Sequence, residues 1–400
     1  MSDIETFDVV IVGGGPAGAT AANDLARRGR SVLLLDKAGR IKPCGGAIPP
    51  RLIQEFDIPD HLIVAKIASA RMVSPSARHV DMPIDGGYVG MVDREPYDEW
   101  LRERAASAGA VRRTGTFERI ERGDDGVSVV LYQPKTAAPD AVPARVRARS
   151  VIGADGALSQ VARQNVPGAE NMPFVFAYHE IVRSPSNGSA ADFDPTRCDV
   201  YYRGTLSPDF YGWIFPHGNV TSIGTGSAHK GFSLRHAVGA LREVAGLDGA
   251  ETIRREGAPI PLRPLKKWDN GRDLVLAGDA AGVVAPASGE GIFYAMTGGR
   301  LAAEAVDEFL ATGDARALST ARKRFMRTHG SVFWILGVMQ DYWYSSDQRR
   351  ERFVSICRDR DVQQLTWDAY MNKELVRARP LAHARIFFKN IAHLTGLVPA

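Results

Sequence analysis

Residues 7–12 (FDVVIV) form an unbroken apolar run ending in glycines, the pattern of a strand buried on both faces of a parallel sheet. Ala and Leu then recur at helical spacing over residues 16–28, and the run stops at Gly29, a residue suited to the left-handed position after a helix. Residues 31–35 (SVLLL) are a second apolar run closing on Asp36, which completes a βαβ unit. After a Gly/Pro-rich loop over 39–50, residues 95–108 carry a helical pattern with Trp100 and Leu101 on one face. Strand-like text follows over 117–132 and 144–152, split by a loop at 133–143. Residues 171–264 are β-rich and aromatic with frequent Gly and Pro, which predicts a sheet of their own. Residues 274–277 (LVLA) form another buried strand, followed by Gly278-Asp279 and a long apolar helix ending near Leu310. From Arg322 onward the pattern is helical. The fold class is α/β, α+β overall.

Four hundred residues exceed what one core usually encloses, so the pattern divides into parts. Residues 1–70, 95–170 and 265–315 form a discontinuous nucleotide-binding domain, 71–94 and 171–264 a sheet domain, and 316–400 a helical C-terminal segment. No stretch reaches the ~18 apolar residues a spanning helix needs. The acidic start (MSDIE) runs straight into a strand, against a cleaved signal peptide. Cys44, Cys198 and Cys357 lie far apart and form neither a disulfide framework nor a zinc cage, which suits a reducing cytoplasm.

The net charge of +4 hides an asymmetry: residues 318–400 carry 14 Lys/Arg against 7 Asp/Glu, and the rest is slightly acidic. Near the end, Ile386, Phe387, Phe388, Ile391, Leu394 and Leu397 recur at helical spacing. The segment fits two roles, a helix docked on the protein's own core or a face for an anionic membrane or membrane-bound pigment enzyme. No nucleic-acid partner is expected.

Gly13-Gly14-Gly15-Pro16-Ala17-Gly18 is a GxGxxG directly after a strand and opening a helix. Gly13 permits the tight turn, Gly15 lets the backbone approach a pyrophosphate, and Gly18 allows close helix–strand packing. Pro16 and Ala17 begin the helix, whose free N–H groups and dipole favour phosphates. Asp36, with Lys37 beside it, closes the second strand where a carboxylate can accept from adenosine ribose hydroxyls. FAD and NAD(H) both fit this unit. Gly278-Asp279 favours FAD, because its carboxylate can hydrogen-bond the ribityl polyol that NAD(H) lacks.

The Gly278-Asp279 turn resembles the GD motif of flavoprotein hydroxylases and their relatives. Gly153-Ala154-Asp155-Gly156 resembles that group's DG motif, which lies near FAD and the nicotinamide cofactor. Arg94, followed by Asp98 and Leu101, resembles its helix-start arginine beside the flavin. These likenesses imply a Rossmann-like FAD-binding domain of the p-hydroxybenzoate hydroxylase type with an antiparallel-sheet substrate domain. Three more stretches are Lys42-Pro43-Cys44-Gly45-Gly46, Tyr211-Gly212-Trp213-Ile214-Phe215-Pro216 and Pro286-Ala287-Ser288-Gly289-Glu290-Gly291-Ile292. They resemble the CGG, YxWxFP and PxxGEGI signatures of the geranylgeranyl reductase family of flavoproteins, and the likeness runs over nearly the whole chain. Residues 353–370 are similar to its (bacterio)chlorophyll-pathway members. One departure is Ala47, where the family's loop often has a third glycine.

The resemblance implies FAD as cofactor, NADPH as hydride donor, and reduction of a geranylgeranyl group toward phytyl, on the diphosphate or on esterified pigment. It places Cys44, Gly45, Gly46, Gly289, Gly291 and Ile292 at the flavin, and Tyr211, Trp213, Phe215 and Pro216 at the substrate. A strand would present the three aromatics on one face, lining an isoprenoid tunnel, and turn Ile214 and Pro216 to the other. An isolated trisubstituted alkene is a poor hydride acceptor, so a proton donor must stand near; Cys44, Tyr211 and ordered water compete for that role. Two rivals share part of the pattern. A flavin-dependent aromatic monooxygenase does not usually carry CGG or YxWxFP, and the intact Cys44 loop and GEG turn speak against a non-catalytic flavoprotein or assembly factor. No Asp-rich diphosphate motif is visible, which leans toward the esterified pigment.

Overall fold

The structure is a computed structural model that describes residues 4–37, 42–138, 141–186 and 192–373. The chain divides into two compact units. Met1–Lys42, Glu95–Phe174 and Pro259–Phe333 make the first; Pro43–Arg94, Val175–Ala258 and Trp334–Ala400 make the second.

The first unit is built on five parallel-paired strands in the order Val111–Arg122, Val32–Asp36, Thr6–Val12, Ala144–Gly153 and Leu274–Leu276. Their apolar runs are buried on both faces: Val9, Val10 and Ile11 are 0% exposed. Helix Pro16–Arg27 packs along helix Ile292–Thr312. Small residues bring these helices together, since a Cβ at Gly299 would fall 2.2 Å from the Ala17 carbonyl oxygen.

Two elements differ from the sequence expectation. The strand expected over 117–132 is a hairpin of Val111–Arg122 with Ser128–Pro134. Gly126, at φ +79°, and a bond from the Val127 N–H to the Asp125 carboxylate turn the chain. This Asp/Gly turn chemistry overrides an apolar alternation that runs on through it. The helix expected directly after Gly278-Asp279 begins only at Ile292. Gly278–Ala281 is a single 3-10 turn closed by Gly282 at φ +79°, and Pro286, Gly289 and Gly291 keep the following chain irregular.

The second unit holds a seven-stranded sheet in the order Thr252–Pro261, Phe174–Arg183, Val220–Ser227, Gly212–His217, Arg197–Tyr201, Ser69–Val73, His79–Pro83. It is parallel where Arg197–Tyr201 meets Ser69–Val73, and antiparallel at the central pairings. Val182, Ile214 and Ile223 on one face bury against Val238 and Leu241 of helix Leu234–Val244. Each such side chain contributes about 1.5–3 kcal/mol of burial. Within the Gly/Pro-rich loop, Ala47–Ile48 pairs with Val89–Met91, an edge too short to show in the sequence pattern.

Helices Thr320–Trp343, Asp347–Ile356 and Arg360–Asn372 follow. No helix among the described residues is long and apolar enough to cross a membrane. The apolar–basic helix expected over 380–400 lies outside the described residues.

Candidate active site

In the first unit, Gly13 leaves its strand at φ +107°, and a Cβ there would sit 2.3 Å from the Ala154 carbonyl oxygen. A Cβ at Gly18 would lie 1.9 Å from the Gly13 carbonyl oxygen. Both glycines are required by the fold. Gly15 is different: its φ of −76° suits any residue and nothing lies within 4 Å of its Cβ position. Pro16 and Ala17 open the helix behind it, with no side-chain cap and no acidic residue in the first turn, so the N-terminus is left to an anion.

Asp36 closes its strand and accepts from the Gly14 N–H at 2.7 Å, with exposed Lys37 next to it. Arg102 donates to the Gly14 carbonyl at 3.2 Å and pairs with Glu99 at 2.8 Å. Gly278, at φ +64°, brings its turn against helix Pro16–Arg27, where a Cβ would come within 2.7 Å of the Ala17 Cβ. The two glycine–aspartate turns, distant in sequence, therefore meet. Asp279 is 8% exposed and takes the Lys42 ammonium at 2.5 Å. A Cβ at Gly291 would be 3.8 Å from Asp279 Oδ1, so the turn before Ile292 joins the same cluster. That turn holds Gly289 at φ +66° and Ala287 at φ +61°, the latter a strained conformation for a residue with a Cβ, costing about 1–2 kcal/mol.

Asp155 follows the segment that abuts Gly13, and its carboxylate caps the next helix, accepting from Ser159 Oγ, the Gln160 N–H at 2.7 Å and the Val161 N–H at 3.2 Å. Its surroundings push the carboxyl up by desolvation, with Ser159 and the helix N–H groups pulling the other way.

In the second unit, Tyr211, Trp213 and Phe215 form a row along one side of strand Gly212–His217, edge-to-face and then tilted, with successive ring centroids 6.1 and 6.2 Å apart. Pro216 and Ile214 turn to the helix-packed side. Trp213 pairs with Gly224, and Gly224 with His179. A Cβ at Gly224 would lie 2.2 Å from Trp213 Cζ2 and 2.6 Å from His179 Cβ, so only glycine lets the indole lie across the strand.

The indole Nε1–H donates to Ser222 Oγ at 3.1 Å. Ser222 Oγ is 2.8 Å from His179 Nδ1, and His179 Nε2 is 2.9 Å from Glu256 Oε2. A neutral His179 carrying its proton on Nε2 satisfies every member: Ser222 donates to Nδ1, and Nε2–H donates to the carboxylate. Burial acts to raise the Glu256 carboxyl, but the His179 hydrogen bond leads the contacts that bring it below its ordinary value.

Phe215 meets the Cys44 loop, where a Cβ at Gly45 would be 3.1 Å from its ring. Cys44 is half-buried, and its Sγ accepts from the Gly46 N–H at 3.4 Å. His217 reaches the same loop: Nδ1 is 3.1 Å from Asp93 Oδ1 and Nε2 is 3.1 Å from the Gly45 carbonyl oxygen. Arg94 and Asp98 are buried at the start of helix Arg94–Ser107.

Sequence reasoning missed Arg102, His217 with Asp93, and the Ser222–His179–Glu256 relay. Only His217 left a signal, standing two residues beyond Phe215 and so on the aromatic face.

Residues 7–188 match the family model described as pyridine nucleotide-disulphide oxidoreductase. The three cysteines of this chain are all free, so no disulfide accompanies that match. Over 98% of its length the chain is 61% identical to the geranylgeranyl diphosphate reductase of Rhodobacter capsulatus, covering 98% of that protein. Its structure resembles that of a geranylgeranyl bacteriochlorophyll reductase-like protein from Thermoplasma acidophilum, with a TM-score of 0.81 at 23% identity, covering 94% of this chain and 99% of that one. It also resembles the flavin-dependent brominase Bmp2 triple mutant, with a TM-score of 0.71 at 18% identity over 96% of this chain and 99% of the other. These structural likenesses establish the flavoprotein fold expected from the sequence.

Proposed function

The chain belongs to the geranylgeranyl reductase family, and from that premise we propose that it is an FAD-dependent oxidoreductase that uses NADPH to reduce isolated double bonds of a geranylgeranyl group. The carrying observation is the near-full-length identity to a geranylgeranyl diphosphate reductase, which spans both the glycine-rich turns and the aromatic strand. The residues fit FAD. Gly15 is a glycine the fold itself does not need, and Asp36 and Asp279 are carboxylates placed by turns that converge on one helix start. We assign Gly13, Gly15, Pro16, Ala17, Gly18 and Asp36 with Lys37 to the ADP half, and Gly278 and Asp279 to the ribityl chain. Gly289, Gly291 and Ile292, with Cys44–Gly46, Arg94 and Asp155, are assigned to the ring end. FAD bound there, once reduced by NADPH, would supply the hydride for the alkene.

The rest falls to the chain's own groups. Tyr211, Trp213 and Phe215 offer an apolar wall for an isoprenoid and exclude water from it. The alkene has no carbonyl to stabilise carbanion character, so a proton must reach one carbon as hydride reaches the other. Cys44 Sγ, beside the end of the aromatic row, is our candidate donor, with the Tyr211 hydroxyl second. Exposed Lys323, Arg324, Arg327 and Trp334 support a peripheral contact of the basic C-terminal segment with an anionic membrane face. Liposome co-sedimentation of the parent, of a Lys323→Glu/Arg327→Glu variant and of a chain lacking residues 380–400 tests it, and unchanged pelleting of both altered chains refutes it.

The test of function is mass spectrometry after anaerobic incubation with FAD and NADPH, using geranylgeranyl diphosphate in one arm and geranylgeranylated pigment in the other. Successive gains of two hydrogens are expected in at least one arm. No gain in either arm, or, in a separate aerobic assay, NADPH oxidation coupled to oxygen and a small phenol, overturns the proposal.

A further inference from the structure

His217 ends the strand that carries the aromatic row, and its side chain is 6% exposed. Both ring nitrogens stand at hydrogen-bond distance from oxygens that can only accept. Nδ1 faces the Asp93 carboxylate and Nε2 the Gly45 backbone carbonyl, each at 3.1 Å. A neutral imidazole has one N–H, so it would turn a lone pair toward one of these oxygens, a buried repulsive contact. The doubly protonated ring satisfies both.

The Gly45 carbonyl and the Gly46 N–H belong to one planar peptide group. His217 holds its oxygen edge, and its N–H edge donates to Cys44 Sγ at 3.4 Å. Glycines flank this peptide, and Gly46 sits at φ +73°, so the chain itself opposes rotation of the plane only weakly. A Cβ at Gly46 would lie 2.4 Å from His217 Cε1, so the ring also packs directly on the loop.

We infer that His217 is held as an imidazolium between Asp93 and the Gly45 carbonyl, and that this cation is a positioning residue that locks the 45–46 peptide and thereby the Cys44 thiol. The clamp itself stands on geometry; its importance for turnover rests on the function proposed above. Asp93 faces the ring with buried Arg94 beside it in the chain, and the loop against the ring carries Cys44 and, two residues before it, Lys42, whose ammonium is paired with Asp279. When the imidazolium loses a proton, one of its two hydrogen bonds becomes a repulsion and the peptide is released.

The test uses the full chain with FAD bound. Nitrogen-15 NMR, with His217 assigned from the spectrum of His217→Gln, should show two protonated ring nitrogens at pH 7. Alkylation of Cys44 by iodoacetamide, read peptide by peptide, should be faster in His217→Gln by about tenfold or more, the factor one charge-assisted hydrogen bond is worth. Cys198 and Cys357 are buried, and burial pushes the Cys357 thiol up to about 12, so they serve as unreactive internal controls. Asp93→Asn removes the anion that favours the cation and should move the pH at which Cys44 becomes reactive to a lower value. A single protonated nitrogen at pH 7, or Cys44 reactivity unchanged in both variants, overturns the clamp. A chain that passes these tests but reduces no geranylgeranyl group overturns the proposed function and leaves the clamp standing.

Discussion

Replacing Gly15 by alanine separates what the fold needs from what a ligand needs. The new methyl meets no atom of the chain within 4 Å, and the backbone at φ −76° accepts it without strain. Alanine is a poorer helix N-cap than glycine by a few tenths to about 1 kcal/mol, whereas losing a glycine from the unfolded chain contributes about 0.4–1 kcal/mol in the other direction. The two nearly cancel, so the cofactor-free protein should unfold within about 1–2 °C of the parent. A pyrophosphate lying on that backbone would meet the methyl, and overpacking of this kind costs about 1–3 kcal/mol. At about 1.4 kcal/mol per tenfold, FAD should bind about 5- to 150-fold more weakly. Gly18→Ala is the contrast: its methyl would lie 1.9 Å from the Gly13 carbonyl oxygen, so the turn must shift and the cofactor-free protein itself should lose several degrees. Thermal unfolding without FAD and a flavin-fluorescence titration read the two effects apart. Gly15→Ala binding FAD as tightly as the parent, or unfolding several degrees early without it, would refute this reasoning.

Asp36→Ala takes the acceptor from the Gly14 N–H as well as a carboxylate from the nucleotide site. It should therefore cost about 1–3 kcal/mol of cofactor-free stability and weaken FAD binding too, and a variant altering neither measurement would remove Asp36 from the site. Ser222→Ala leaves the buried Trp213 N–H without its acceptor and should cost about 1–3 kcal/mol in urea unfolding; an unmoved midpoint would show that the relay does not hold the indole. Glu180 is buried and bonded to Arg242 at 2.6 Å, Tyr178 at 2.9 Å and Arg255 at 3.1 Å. Burial acts to raise its carboxyl, but these partners, Arg242 first, bring it below its ordinary value. Its contribution is thus fully present above the unfolded carboxylate value of about 4.3 and fades as pH falls through the folded one. Glu180→Gln should cost about 1.5–3 kcal/mol at pH 7 and flatten the acid limb of the stability–pH curve; an identical limb would refute the assignment.

Much of the first unit was readable because its signals are local. Gly13, Gly15 and Gly18 act within a few residues of one another, and a βαβ unit leaves the end of the second strand little freedom, so Asp36 could be placed beside the glycine turn. The Gly123–Gly126 turn is equally local but lies inside text that alternates like one strand, so the longer periodicity masks it. The start of helix Ile292–Thr312 is hidden in the sequence for the opposite reason, because apolar small residues continue through a segment that Pro286 and the glycines keep irregular. The Gly278 contact with Ala17 and the Arg102 contact with Gly14 need the folded sheet, and no spacing in the chain announces them.

The relay in the second unit was hidden by register. His179 and Ser222 are 43 positions apart, and His179 and Glu256 are 77 apart. Hydrophobic alternation says which residues share a face, not which partner stands opposite. The structure shows what decides it. Ile214 pairs with Ile223 on the side packed against helix Leu234–Val244, while Trp213 pairs with Gly224 and Gly224 with His179 on the other side. A slip of one residue would expose Ile214 and Ile223 and drive the indole into that helix. The apolar core on one face thereby sets the position of the polar chain on the other. The type of Gly224 reports both requirements: any Cβ there would collide with Trp213 and His179 together, so this glycine marks where the aromatic wall and its hydrogen-bonded support cross the sheet.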